Sequence, residues 1–367
     1  MDWVDGLRLL LILGIARIIM GAMLYYTVGV GDTRRVQFIN ATMHLPYRWL
    51  YLVTTWDTAY YSAIANAGYP RILAPAYWFF PLYPFAIATF GLTGIDLATM
   101  AFVIALAAGL ASVPLFLRIA KRCLSRDLAN GTALLYFLLP PVFVFSGVSY
   151  SDSLLLLFCL LTWDSHLTGH DTRAGLVSAL ATLTRINGVI LALPLAYNYV
   201  QRRQFRKLVY SAIAPLALIG WVLYGYWRTR MWFPMLAAES YFNPVDPTIQ
   251  KNVLQLATGN IAAIKPLLHF WPIVTVGLTF TLFIVFLAYR AFKIDRALGL
   301  YAFVSITIMF AFGIFPAVRG FPRFFSFLFP VGLGLRTERR WVLVTVASFF
   351  LIFDYVLWWG LLGGWVT

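Results

Sequence analysis

Only fourteen carboxylates occur in the 367 residues, so each can be weighed singly as a proton acceptor or an ion ligand. Asp57, in Thr55-Trp56-Asp57-Thr58-Ala59-Tyr60-Tyr61, stands out. A carboxylate among aromatic residues can take a proton from an attacking hydroxyl. The same pattern also reads as a helix cap on a membrane-surface helix, with Trp56 as interfacial anchor. Asp152, in Ser149-Tyr150-Ser151-Asp152-Ser153, opens the apolar run Leu154 to Leu161 and reads either as a cap or as a second carboxylate near Asp57. Arg185 and Asn187 lie between Leu183 and Val189, where a charge in an apolar stretch is costly and marks a functional site or an ion pair. Arg319 and Arg323 form a further cationic pair. A guanidinium fork matches a phosphate, so these three arginines could hold a lipid phosphate; anchoring to headgroups is the other reading. Trp56, Tyr60, Tyr61, Tyr69 and Trp78 suit both sugar stacking and membrane anchoring.

Other polar groups carry less. His166 and His170 share a helical face by spacing, beside Asp164 and Asp171, and read as covering a solvated loop. Asp354 is a lone acid in the last apolar run, expected to hydrogen-bond a neighbouring helix. Glu239 and Asp246 could shape an acceptor site. Cys123 and Cys159 supply neither a disulfide framework nor a zinc site. No glycine-rich phosphate loop, nucleophile elbow or paired metalloprotease histidines occur.

These groups must be positioned by membrane helices. The chain is 61% hydrophobic and 11% charged, against roughly 25% charged in soluble domains. Apolar runs long enough to cross the hydrocarbon layer recur from Leu7 to Val366, and the first is read as a retained span. The net charge of +14 falls in short clusters between these runs, which argues against nucleic acid and for topology. Placing Lys121/Arg122/Arg126, Arg202 to Lys207, Arg290/Lys293/Arg296 and Arg336/Arg339/Arg340 inside gives an all-α polytopic chain of about eleven membrane segments, some short or broken. Spans are expected near 7–28, 98–119, 130–147, 152–168, 208–228, 267–289, 297–315, 322–335 and 341–361. Residues 171–200 read as two short helices meeting at Arg185, Asn187 and Gly188, a break that survives only where protein or a cavity satisfies the backbone. Residues 29–97 and 229–265 fall outside, and Trp78 to Gly94 is either a span or, as the basic clusters favour, an interfacial segment. No internal repeat appears, so residues 1–367 read as one domain.

Four short motifs then resemble a known family in order: Trp56-Asp57 followed by Gly68-Tyr69 and Phe79-Phe80-Pro81-Leu82-Tyr83-Pro84; Tyr150-Ser151-Asp152-Ser153; Thr184-Arg185-Ile186-Asn187-Gly188; and Arg323-Phe324-Phe325. Together they look like the mannosyltransferases that add the second mannose of glycosylphosphatidylinositol anchors. Asp152 stands where that family has glutamate and Ile186 where it has serine. The short loops point to a prokaryotic, archaeal-type relative whose acceptor need not be an anchor lipid.

The resemblance implies a GT-C type glycosyltransferase fold and a polyprenyl-phosphate sugar as donor. It further implies inverting transfer of mannose to a lipid or glycan acceptor on the non-cytoplasmic face. Asp57 is then the catalytic base, and Arg185, Arg319 and Arg323 bind the donor phosphate. Trp56, Tyr60, Tyr61, Asp152 and Asn187 contact substrate or support the site. Asp57 is single rather than part of an Asp-x-Asp pair, which argues against a required divalent metal, although Asp152 could supply a second ligand; no other cofactor is expected. The membrane would be the plasma membrane in a prokaryote and the endoplasmic reticulum in a eukaryote. The rival readings are a lipid or solute transporter, which an internal repeat would favour, and a non-catalytic lipid-binding subunit.

Overall fold

A computed structural model describes residues 2–28, 45, 48–54, 56–70, 74–235, 271–311 and 323–362. Arg319, Glu239 and Asp246 lie outside the described residues. The elements in chain order are α1 (Asp2–Val28), α2 (Trp56–Ala67), α3 (Leu82–Gly91), α4 (Leu97–Cys123), α5 (Arg126–Leu138), α6 (Pro140–Phe145) and α7 (Asp152–Leu167). After them come α8 (Asp171–Thr184), α9 (Ala192–Gln201), α10 (Leu208–Thr229), α11 (Trp271–Phe292), α12 (Arg296–Ala311), α13 (Phe329–Gly334) and α14 (Arg340–Leu362). Among the described residues, four helices are long and apolar enough to cross a membrane: Val4–Thr27, Leu97–Cys123, Phe205–Thr229 and Arg340–Trp359.

The bundle is organised around α7. Apolar on nearly every side, it is buried from Asp152 to Leu156 and from Thr162 to His166, as a helix enclosed by others must be. It packs between α4 and α8, and α8 in turn packs on α10. Its two ends differ chemically. Near its C-terminus Asp164 pairs with Arg118 at 3.3 Å, and around it Lys121 and Arg126 reach Asp5 at 2.8 and 2.9 Å while Lys207 reaches Asp171 at 2.6 Å. Asp152 stands at the other end, about 18 Å away at 1.5 Å per residue. The basic clusters thus gather at one end of the bundle and the candidate chemistry at the other.

Two of the expected spans are not single helices. The apolar run 130–147 is not one span: α5 stops at Leu138, and Leu139 turns extended (φ −61°, ψ 126°) before Pro140 begins α6. Pro140 and Pro141 lack amide hydrogens, and the residue before a proline is driven from the helical region. The run 322–335 is a single turn, Arg323–Phe325, followed by the six-residue α13, which Pro330 starts. Trp78 to Gly94 holds only the ten-residue α3, roughly 15 Å long against a hydrocarbon layer of about 30 Å. The break expected between 171 and 200 is present as a 3-10 segment, Ile186–Leu191, joining α8 to α9.

His166 and His170 do not share a helix face, because α7 ends at Leu167 and Gly169 takes a left-handed φ of 79°. His166 instead faces Asp171 at 3.4 Å and Asn198 at 3.1 Å. Asp354 is fully buried, yet neither carboxylate oxygen has a hydrogen-bond partner among the described residues. Its electrostatic neighbour is Arg17, whose guanidinium donates to the Phe143 carbonyl at 2.9 Å and to the Ser146 hydroxyl. The apolar context of both residues concealed that pairing of the first and last helices.

Candidate active site

Three hydrogen bonds bring the starts of α2 and α7 together. The Thr58 hydroxyl donates to the Ser149 carbonyl at 3.2 Å, the Ser149 amide donates to the Val53 carbonyl at 2.8 Å, and the Tyr61 and Ser151 hydroxyls lie 2.7 Å apart. Asp57 sits in the first turn of α2 and Asp152 at the first position of α7, where the positive end of the helix dipole favours a carboxylate.

The cations come from elsewhere in the chain. Arg185 follows α8 with extended backbone (φ −156°, ψ 150°), which swings its side chain out of the helix register. The 3-10 segment beyond it then folds back on α8 at Gly188. A Cβ at that position would stand 2.2 Å from the Ala181 carbonyl carbon and 2.3 Å from the Thr182 nitrogen. Backbone atoms cannot move aside as a side chain can, so Gly188→Ala is expected to cost about 1–3 kcal/mol and to displace Arg185. Thermal unfolding in detergent measures the first effect and the transfer rate the second.

Arg323 completes the group. Its Nη1 lies 2.6 Å from Asp57 Oδ2 and its Nε 3.1 Å from Asp152 Oδ2. Arg185 Nη1 reaches the same Asp152 oxygen at 2.8 Å, and the Ser326 hydroxyl donates to Asp152 Oδ1 at 3.0 Å. The Arg323 guanidinium also lies over the Tyr150 ring, 3.9 Å from its centroid. Two carboxylates and two guanidiniums thus form a neutral group, the condition under which charges are tolerated in a low-dielectric interior.

The group has a closed side and an open side. Asp152 is 1% exposed and fully engaged by three donors, whereas Asp57 is 21% exposed, and Arg323 is its polar partner among the described residues. A phosphate could approach the arginines and a hydroxyl could approach Asp57, while Asp152 holds both cations from behind.

The residues expected from sequence divide accordingly. Asp57, Asp152, Arg185 and Arg323 meet, and Asn187 is buried in the 3-10 segment just past Arg185. Trp56 begins α2. Tyr60 stacks on Phe79 with ring centroids 5.0 Å apart. Tyr61, 3% exposed and edge-on to both Phe79 and Tyr83, has no free ring face and acts through its hydroxyl on Ser151. Sequence reading missed Ser326 and the seat that Tyr150 forms for Arg323. A signal existed for the former, since residues three apart eclipse in a 3-10 turn and Ser326 follows Arg323 by three.

Membrane-length helices carrying a carboxylate–guanidinium site at one end define a polytopic integral membrane protein with the parts for group transfer to a hydroxyl. The family model for mannosyltransferase (PIG-V) matches residues 35–241, more than half the chain and including Asp57, Asp152 and Arg185. The chain belongs to this mannosyltransferase family. Among solved structures it is similar to the Archaeoglobus fulgidus oligosaccharyltransferase in complex with Zn and sulfate, at 14% identity and TM-score 0.49, covering 97% of this chain and 53% of that one. It is also similar to ArnT from Cupriavidus metallidurans in the apo state, at 15% identity and TM-score 0.41, covering 90% of this chain and 62% of that one. The chain therefore spans about half the length of the oligosaccharyltransferase. No curated protein matches it in sequence.

Proposed function

We propose that the protein moves mannose from a polyprenyl-phosphate donor to a lipid or glycan hydroxyl, with inversion, at the non-cytoplasmic face. The observation that carries this reading is the bridging of Asp57 and Asp152 by Arg323, with Arg185 alongside. In the transfer, the acceptor oxygen attacks the anomeric carbon from the side opposite the phosphate, its proton passes to Asp57, and the carbon–oxygen bond to phosphate breaks. The electron pair leaves with polyprenyl phosphate, whose growing charge Arg323 and Arg185 stabilise. Arg323 is held on Asp57 before donor binds. A phosphate drawing that guanidinium toward itself would loosen the pair and free the Asp57 carboxylate to accept a hydrogen bond from the acceptor hydroxyl. A β-linked donor then yields an α-mannoside.

A divalent metal has no place in this scheme. Where a cation would bridge Asp57 and Asp152, the Arg323 guanidinium already carries the positive charge. Transfer is expected to survive EDTA unchanged, and a loss restored by Mg²⁺, Mn²⁺ or Zn²⁺ would refute that part.

The direct test supplies purified protein with polyprenyl-phosphate [³H]mannose and total membrane lipid, then treats the product with α- and β-specific mannosidases. Release by the α enzyme supports the reading; release by the β enzyme alone sinks inversion. The face is tested separately, with Cys123 and Cys159 replaced by alanine and single cysteines placed at exposed Asn66 or Ser125. A membrane-impermeant maleimide added to intact cells is expected to label Asn66→Cys and to reach Ser125→Cys only after permeabilisation. The reverse order would move the active site to the cytoplasm.

A further inference from the structure

A second polar feature lies at the basic end of the bundle, away from Asp57 and Asp152. Between α5, α11, α14 and the segment Leu335 to Arg339 is a cavity of about 600 Å³. Its walls are apolar, with Leu135 from α5, Phe283 and Leu287 from α11 and Val346 from α14. A water takes about 30 Å³, so this space could hold a far larger group, and its apolar part would not satisfy solvent hydrogen bonds. Phe286, 53% exposed, lines it as well, so the slot is bordered by a surface turned away from the protein interior.

Arg290, Arg336 and Arg339 line the same cavity. Arg290 Nη2 donates to the Arg336 carbonyl at 2.7 Å, which fixes one guanidinium beside the segment carrying the other two. None of the three has a salt-bridge partner among the described residues, in contrast to Lys121, Arg126 and Lys207 at the same end. Glu338, the carboxylate of the lining, lies beyond salt-bridge distance of all three. The N-terminal turn of α14 opens here too, and its free amide hydrogens favour an anion. Uncompensated guanidiniums over an apolar slot match a phosphate joined to a hydrocarbon chain. A free anion would leave the slot unfilled, and a hydrocarbon alone would leave the arginines unpaired.

We propose that this cavity binds an anionic membrane phospholipid of the leaflet at the basic end, with its phosphate on Arg290, Arg336 and Arg339 and an acyl chain in the slot, as basic pockets between membrane helices do. The double variant Arg336→Gln/Arg339→Gln isolates the charge, because neither side chain makes a hydrogen bond or ion pair among the described residues. Val346→Trp isolates the slot, leaving every arginine in place.

The experiment titrates detergent-purified protein with phosphatidylglycerol or phosphatidylcholine and counts retained lipid by native mass spectrometry, with melting temperature as the check on folding. Wild type is expected to retain one phosphatidylglycerol at roughly tenfold lower lipid concentration than phosphatidylcholine. Each variant should lose that preference, and millimolar inorganic phosphate should not displace the lipid. Equal retention of both lipids by wild type, or undiminished phosphatidylglycerol binding in both variants, overturns the proposal. Displacement by inorganic phosphate would also overturn it, by assigning the arginines to a free anion.

Discussion

Asp57→Asn is expected to lower mannosyl transfer by about 10²- to 10⁴-fold, the usual contribution of a positioned general base. Asparagine keeps the shape of the side chain and still accepts a hydrogen bond from Arg323, so folding and donor binding should persist. What it lacks is the ability to take the acceptor proton as the new glycosidic bond forms. The measurement is the initial rate of transfer at saturating donor, beside donor affinity and melting temperature. A variant that binds donor, melts like wild type and transfers at an undiminished rate would remove Asp57 from the mechanism. The exposure of Asp57 makes this separation practicable, since a group at the open edge of the site contributes little to the core.

Asp152→Leu is expected to act through stability first. It removes the anchor of both guanidiniums and the acceptor of the Ser326 hydroxyl in a site where Asp152 is 1% exposed. Two buried cations would then face each other with only Asp57 between them. Breaking one side of a buried ion pair costs about 3–5 kcal/mol, and here one carboxylate serves two arginines. A large fall in melting temperature with loss of transfer is the expected result. Asp152→Glu, which keeps the carboxylate, should recover most of both. An Asp152→Leu protein as stable as wild type would mean that the four charges do not assemble as described. Asp57→Asn should lose activity with little loss of stability, whereas Asp152→Leu should lose both.

The candidate site was legible in the sequence as separate pieces. Arg185 is conspicuous because a charge between Leu183 and Val189 demands a reason, and Asp57 and Asp152 because carboxylates are so few. Arg323 was visible as half of a cationic pair with Arg319, which lies outside the described residues. What the sequence did not show is that Arg323 joins Asp57 and Asp152, the latter 171 residues distant. Tyr61 was read as an external aromatic suited to sugar stacking or membrane anchoring and is a buried residue. Its helical neighbours are polar enough to suggest exposure, and Phe79, Tyr83 and Ser151 cover it only in the folded chain.

Composition and the spacing of basic clusters determined by themselves that this is a helical membrane protein and how its ends divide. Both follow from bulk properties, namely the cost of polar groups in hydrocarbon and the retention of Lys and Arg on one side. The broken helix at Arg185 to Gly188 was legible for the same reason, since a glycine and a charge interrupt an apolar run. Only the tertiary structure decided which charges meet, because ion pairing depends on distances of 3 Å between segments that no local pattern relates. It decided as well that the proline-bearing run after α5 folds short, and that Arg323 stands between Asp57 and the second carboxylate, Asp152. Hydropathy measures the solvent a segment prefers, and it carries no record of the neighbour that segment will find.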